Sequence, residues 1–136
     1  MLTSQEFTAI YFRLQDISDN WADLWLFINQ FPVAISRIIN LKYTDVEGKY
    51  ILFPCRRRFC EKKLLISYIA LNILKRRKLR YPEDIYIFQS HSNRVKHQKK
   101  PVTMIAFNQA LKKASTGITK KSISSKWGGG EFISYK

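Results

Sequence analysis

The chain has 136 residues, of which 46% are hydrophobic and 14% aromatic, so it can bury the core of one domain and does not have a disordered composition. Its 24 Lys and Arg against 10 Asp and Glu give a formal net charge of +14. No signal peptide and no apolar run of about 18 residues is present, so we expect a cytoplasmic protein without a membrane partner.

The positive charge is concentrated in the later part of the chain. Residues 1–31 carry one basic and four acidic side chains, whereas residues 32–136 carry 23 basic and six acidic ones. A field of that sign attracts polyanions, and nucleic acid is the commonest polyanion in the cytosol. Charge alone therefore predicts a nucleic-acid partner, although it does not distinguish DNA from RNA.

Two helices are predicted at the start of the chain. Thr3 followed by Glu6 is a capping-box pattern, which predicts the start of the first helix. Asn20 with Asp23 repeats this pattern for a second helix, from Trp21 to Gln30. Apolar residues at helical spacing predict the core positions of both helices: Ile10, Leu14, Ile17, Trp21, Leu24, Trp25, Ile28 and Phe31.

A short helix and a β-hairpin are predicted next. The stretch from Pro32 to Val46 carries one apolar stripe, and a strand from Lys49 to Phe53 follows it. Lys62 to Ser67 returns as a second strand, so the two segments form an antiparallel hairpin. The connection between them reads Cys55-Arg56-Arg57-Arg58-Phe59-Cys60.

A basic helix, a basic loop and a last helix follow the hairpin. Ile66 to Arg80 has helical periodicity and ends in more cations than the helix dipole needs. Ile85 to Phe88 is a short apolar segment, residues 90–101 form a basic loop, and Thr103 caps a helix that continues to about Ser115. The sequence therefore predicts an α+β fold, mainly helical, with one small antiparallel hairpin.

The order of these elements resembles the catalytic domain of the tyrosine recombinases, the phage integrase family. In that family the central helix begins Gly-Leu-Arg-Ile-Ser-Glu and runs into Leu-x-Leu-x-Trp-x-Asp-Ile. The segments of this chain that fit are Ile35-Ser36, Asn40-Leu41-Lys42, Asp45-Val46, Ile87-Phe88-Gln89-Ser90 and Lys100-Pro101-Val102-Thr103. The resemblance implies a recombinase-like domain in residues 1–116 and a divergent or truncated tail in residues 117–136.

The resemblance also implies that the catalytic groups are missing. The family's first catalytic arginine falls on Ala34, and its glutamate falls on Arg37. The position of the hairpin lysine reads Arg58, which stays protonated and cannot act as a general acid. Near the expected His-x-x-Arg the closest cation is Lys126, and Tyr135 follows too soon to match the family's nucleophile. Loss of one donor to the reacting phosphate costs on the order of 10²–10³ in rate.

We therefore expect a catalytically inactive DNA-binding protein with the shape of a tyrosine recombinase. Its expected partners are double-stranded DNA and a full-length recombinase, with no small-molecule substrate and no cofactor. The residues predicted to contact DNA are Arg37, Arg56, Arg57, Arg58, Lys62, Lys63, Arg94, Lys96, Lys99 and Lys100. The helix end from Lys75 to Arg80 is expected to extend this surface. Two alternatives stay open, an active recombinase completed by a partner subunit and an unrelated basic RNA-binding module.

The cysteines and histidines form a candidate zinc set. Cys55, Cys60, His91 and His97 are the entire Cys and His content, and zinc accepts two thiolates with two imidazoles. Their spacing lies at the edge of known zinc patterns, so we expect no metal, two reduced cysteines beside a hairpin turn, and histidines in a solvated loop. A disulfide across that turn is geometrically possible, although cytosol does not favour it.

Overall fold

A computed structural model describes residues 3–55, 60–91 and 99–118 of the protein. Over these ranges the predicted α+β class is confirmed, with helix as the commoner element. In chain order the elements are α1 (Ser4–Ile17), α2 (Asp19–Ile28), α3 (Ile35–Ile39), a 3₁₀ turn (Tyr43–Asp45), β1 (Val46–Glu47), β2 (Tyr50–Phe53), β3 (Lys62–Leu65), α4 (Tyr68–Arg80) and α5 (Met104–Ser115). None of the helices in the described part of the chain has the length and apolar character to cross a membrane.

The chain divides into two compact units. One, the helical unit, comprises Met1–Ile35 with Thr103–Lys136 and contains α1, α2 and α5. The other, the sheet unit, comprises Ser36–Val102 and contains the three strands and α4. The predicted division at residues 116 and 117 falls beside the end of the described residues, so it stays a prediction.

Side-chain caps start the first and last helices of the helical unit, as predicted. Thr3 Oγ1 accepts a hydrogen bond from Glu6 N at 3.0 Å, and Glu6 Oε1 accepts one from Thr3 N at 2.9 Å. Thr103 Oγ1 accepts in the same way from Ala106 N at 3.1 Å, at the start of α5. α1 packs against both α2 and α5. The buried residues on α1 and α5 are Ile10, Leu14, Phe107, Ala110, Leu111, Ala114 and Ser115.

The second helix starts earlier than the sequence pattern predicts. Ser18 is its N-cap, because its side chain accepts a hydrogen bond from Asn20 N at 3.2 Å. Asn20 and Asp23 are themselves buried in the helix, so the predicted capping role of Asn20 is wrong. Of the predicted core positions, Leu24, Trp25, Ile28 and Phe31 are buried, Trp21 is half-buried, and Ile17 at the end of α1 is 40% exposed.

The predicted hairpin is confirmed, and a third strand joins it. β2 and β3 pair antiparallel from Tyr50↔Leu65 to Phe53↔Lys62. β1 pairs with the other edge of β2, which gives the strand order β1-β2-β3. The turn between β1 and β2 contains Gly48 at φ 60°, a left-handed conformation that glycine adopts without a Cβ clash. Period-two alternation along β2 turns its buried residues to the core and Tyr50 to solvent.

α4 is held against a short extended segment that follows it. Residues 85–87 run antiparallel to residues 41–43, with Tyr43 N donating to Ile85 O and Ile87 N donating to Leu41 O, both at 3.1 Å. Arg77 in the last turn of α4 is only 1% exposed, and its Nε donates to Ile87 O at 2.8 Å. Its guanidinium also lies 5.1 Å from the centre of the Phe88 ring. Arg77 is therefore a core residue, and its predicted place among the surface cations of this helix end is wrong.

Candidate nucleic-acid interface

Three surface lysines of the sheet unit lie over tyrosine rings, and two of these rings belong to the paired segments 41–43 and 85–87. Lys78 Nζ lies 4.7 Å from the centre of the Tyr43 ring, and Lys42 Nζ lies 5.5 Å from that of Tyr86. Both lysines are exposed and both tyrosines are half-buried. Attraction between an ammonium and a ring face favours such placements and restrains a long side chain at the surface. We call Lys42, Tyr43, Lys78 and Tyr86 the tyrosine–lysine cluster.

Local backbone interactions place each member of the tyrosine–lysine cluster. Asp45 Oδ2 accepts a hydrogen bond from Lys42 N at 2.9 Å, which starts the 3₁₀ turn containing Tyr43. Lys42 and Tyr86 form an isolated antiparallel bridge, so their side chains are neighbours. Lys78 lies in the last turn of α4, where the helix dipole favours cations, and its Nζ also donates to Pro82 O at 3.2 Å.

A second group of cations lies on the sheet. Lys62 and Lys63 are both exposed on β3, as the predicted contact with DNA requires. Lys63 Nζ lies 5.2 Å from the centre of the Tyr50 ring and 3.7 Å from Glu47 Oε2. Ion pairs this exposed are worth little, because water screens both charges. Lys63 can therefore exchange Glu47 for a phosphate at small cost.

The far end of the basic loop carries a third group. Lys99 and Lys100 are exposed, and Lys100 O accepts a hydrogen bond from Ser90 N at 2.8 Å. The neighbouring residues Gln89 and Pro101 form an isolated antiparallel β-bridge. These contacts join residues 89–90 to residues 100–101. Lys99 and Lys100 therefore lie where the backbone of the loop is held in place.

Arg37 lies inside the protein. It is 7% exposed, and its Nη2 donates to Phe53 O at 3.1 Å and to Cys60 O at 2.7 Å, with Pro54 O 3.5 Å away. The guanidinium thus joins the two chain segments that continue from β2 and toward β3. A group engaged by these carbonyls is a structural residue, so we leave Arg37 out of the interface despite its predicted contact with DNA.

The surface beside Arg37 is an open hollow lined by Arg37, Asn40, Pro54 and Cys55. Ala34, just before α3, is exposed and presents only a methyl group. Five predicted contacts lie outside the described residues and stay predictions: Arg56, Arg57, Arg58, Arg94 and Lys96. The degenerate catalytic position Lys126 also lies outside them.

A histidine–aspartate pair supports the segment that carries Tyr86. His91 Nε2 lies 2.6 Å from Asp84 Oδ2, and the His91 ring stacks on Tyr81 with 4.0 Å between centroids. Gln89 Nε2 donates to Asp84 Oδ1 at 3.1 Å, while Gln89 Oε1 accepts from Tyr86 N at 3.3 Å. His91 is half-buried and paired, so the expectation that it sits in a solvated loop is wrong.

The zinc set is only partly within the described residues. In ranges 3–55, 60–91 and 99–118, no three His, Cys, Asp or Glu side chains come together as metal ligands. His97 lies outside these ranges, so the full four-residue set stays untested. Cys55 and Cys60 are free, exposed thiols.

Comparison of the chain with protein-family models, with curated proteins and with solved structures found no significant match. The resemblance to tyrosine recombinases therefore rests on the sequence segments quoted above.

Charge is concentrated in the sheet unit. Residues 36–102 hold 17 Lys and Arg against five Asp and Glu, a net charge of +12 out of the chain's +14. The sequence predicts DNA contacts for Lys62, Lys63, Lys99 and Lys100, but not for Lys42 or either tyrosine of the cluster. The available signal was the repeated cation–tyrosine neighbourhood, Lys42-Tyr43 and Arg80-Tyr81, inside the most basic part of the chain.

Proposed function

We propose that this protein binds duplex DNA through the sheet unit and does not break the strand. The binding surface comprises the tyrosine–lysine cluster with Lys62, Lys63, Lys99 and Lys100. The observation that carries the proposal is the pair of ammonium groups held over tyrosine rings at 4.7 and 5.5 Å, in a unit of net charge +12.

Phosphate is the group that these cations fit. Each lysine that meets a phosphate releases a condensed counterion, so binding is driven by charge and falls steeply with salt. Lys42 and Lys78 are restrained by Tyr86 and Tyr43, so less side-chain entropy is lost when they meet a phosphate. Contacts of this kind position a protein on a duplex without reading its sequence.

The absence of strand cleavage follows from the residues at the resembling positions. Ala34 has no donor for a developing phosphate charge. Arg37 donates to the carbonyls of Phe53 and Cys60. In this proposal the chain is a degenerate tyrosine recombinase that occupies DNA, alone or beside a full-length recombinase.

The test compares two double variants by the salt dependence of duplex binding. Lys42→Gln/Lys78→Gln removes both cluster cations, whereas Lys112→Gln/Lys113→Gln removes two exposed lysines from the last turn of α5 in the helical unit. The first variant is expected to flatten the slope of log Kobs against log salt by about 0.9 per lysine, and the control to leave it unchanged. Equal slopes for the two variants would refute the assigned surface.

Two further measurements separate the proposal from its alternatives. Tighter binding to structured RNA than to duplex DNA at the same salt would favour an RNA-binding module. A covalent protein–DNA adduct on a nicked suicide duplex, abolished by Tyr135→Phe, would instead identify an active recombinase. We expect neither result.

A further inference from the structure

Cys55 and Cys60 each lie two residues beyond the last ladder pair, one on each side of the hairpin. The last pair of the β2–β3 ladder is Phe53↔Lys62. Continuing the same register by two residues on each strand places Cys55 opposite Cys60. Both are free thiols at the surface, where small molecules can reach them.

Contacts beyond the last ladder pair hold the two chain segments together as far as the cysteines. One nitrogen of Arg37 donates to Phe53 O at 3.1 Å and to Cys60 O at 2.7 Å, so it joins backbone from both sides of the hairpin. Cys55 Sγ accepts a hydrogen bond from Glu61 N at 3.1 Å. That nitrogen is bonded to the carbonyl carbon of Cys60, so the sulfur of Cys55 lies against the peptide bond between Cys60 and Glu61.

A register continued as far as these residues suits the geometry of a disulfide. Directly opposed residues of an antiparallel pair have Cα atoms about 4.5–5.5 Å apart, and disulfides join Cα atoms about 4.4–6.8 Å apart. Side chains alternate along a strand, so two opposed residues also share a face. We propose that Cys55 and Cys60 are a modification site, at which a low-molecular-weight disulfide such as oxidised glutathione drives a reversible intramolecular disulfide. This inference does not rest on DNA binding.

The exchange proceeds in two balanced steps. One cysteine thiolate attacks a sulfur of oxidised glutathione, which forms a mixed disulfide and releases one glutathione thiolate. The second cysteine thiolate then attacks the protein-bound sulfur, which closes the Cys55–Cys60 bond and releases the second glutathione. The protons lost by the two cysteines are taken up by the two glutathione thiolates. In total, two protein thiols are oxidised and one glutathione disulfide is reduced to two thiols.

The product is a ring that runs from Cys55 to Cys60 at the end of the hairpin. An exposed disulfide is accessible to thiols, so reduced glutathione can reopen the ring. The sequence within the ring contains Arg56, Arg57 and Arg58. Oxidation therefore closes a covalent ring that contains the basic connection between β2 and β3.

The test is a titration of the full chain in glutathione redox buffers, followed by alkylation and intact-mass measurement. The expected product lacks two hydrogen atoms and carries no glutathione. Its formation constant is expected to be about tenfold larger in the folded protein than in urea, because the ladder already brings the two ends of the loop together. Accumulation of protein with two bound glutathiones, or equal constants in the two conditions, would overturn the proposal.

A matched variant tests the register itself. Cys60→Ser/Lys63→Cys keeps two cysteines but moves one by three residues, to the opposite face of the strand and opposite Leu52 in the ladder. Ring closure in this folded variant is expected to fall by about tenfold toward the value in urea. Closure as efficient as in the natural chain would show that the register does not bring these thiols together.

Discussion

Arg37 and Arg77 use their guanidinium groups inside the protein. Each is less than a tenth exposed, and each donates to backbone carbonyls that come from other segments, Phe53 and Cys60 for the first and Ile87 for the second. Hydrogen bonds to carbonyls compensate a buried cation for part of the water that it loses. The chain has 24 basic residues, and these two have a structural role because backbone carbonyls inside the protein accept their hydrogen bonds.

Replacement of Arg37 by methionine should lower stability without altering the charge dependence of DNA binding. Arg37→Met leaves the carbonyl groups of Phe53 and Cys60 without their donor, so the free energy of unfolding is expected to fall by about 2–3 kcal/mol. Urea denaturation measures this loss. Lys99→Met, at an exposed position, is the control and is expected to change stability by less than about 0.5 kcal/mol.

The salt slope of DNA binding separates the two roles of Arg37. A structural residue leaves the slope as it was, whereas a phosphate contact lowers it by about 0.9. Unchanged stability together with a lower slope would return Arg37 to the interface.

At the level of elements, short-range signals determine where the helices of the helical unit begin. The capping box of α1 involves only Thr3 and Glu6, and the cap of α5 involves only Thr103 and Ala106. Such contacts span three residues, so the sequence is enough to predict them. For α2 two polar residues, Ser18 and Asn20, compete for the same position, and the pattern alone favoured the wrong one.

The cap of α1 provides a stability test with an internal control. Thr3→Ala removes the acceptor for Glu6 N and is expected to lower the free energy of unfolding by about 1 kcal/mol. Thr8→Ala makes the same change at an exposed position within α1, where the hydroxyl donates to Ser4 O at 2.9 Å. That bond competes with the helix, so the control is expected to be neutral or slightly stabilising. Equal losses in both variants would contradict the assigned cap.

Long-range pairing is what the sequence could not predict. The hairpin was predictable because β2 and β3 are neighbours along the chain, whereas the two-residue β1 is too short to leave a periodic signal. Lys42 contacts Tyr86 because residues 41–43 pair with residues 85–87. Arg77 can be buried because Ile87 O accepts a hydrogen bond from its guanidinium. The basic character of the site was therefore predictable, while its tyrosines and its buried arginines were not.

On the scale of the whole molecule, the two units differ in charge. The helical unit holds seven basic and five acidic residues, a net charge of +2, whereas the sheet unit carries +12. The helical unit has little excess charge, so its stability does not depend on a bound polyanion. The excess charge of the sheet unit disfavours its compact state through self-repulsion, and a bound phosphate backbone relieves that repulsion.

The most direct test of the account is the salt dependence of duplex DNA binding by the unmodified chain, followed by fluorescence anisotropy. The six lysines of the proposed surface predict a slope of log Kobs against log salt of about −5, which the five predicted contacts outside the described residues make steeper, and complete release of the DNA at high salt. A slope near zero, or a fraction of the DNA that no salt concentration releases, would contradict binding through these cations without strand cleavage.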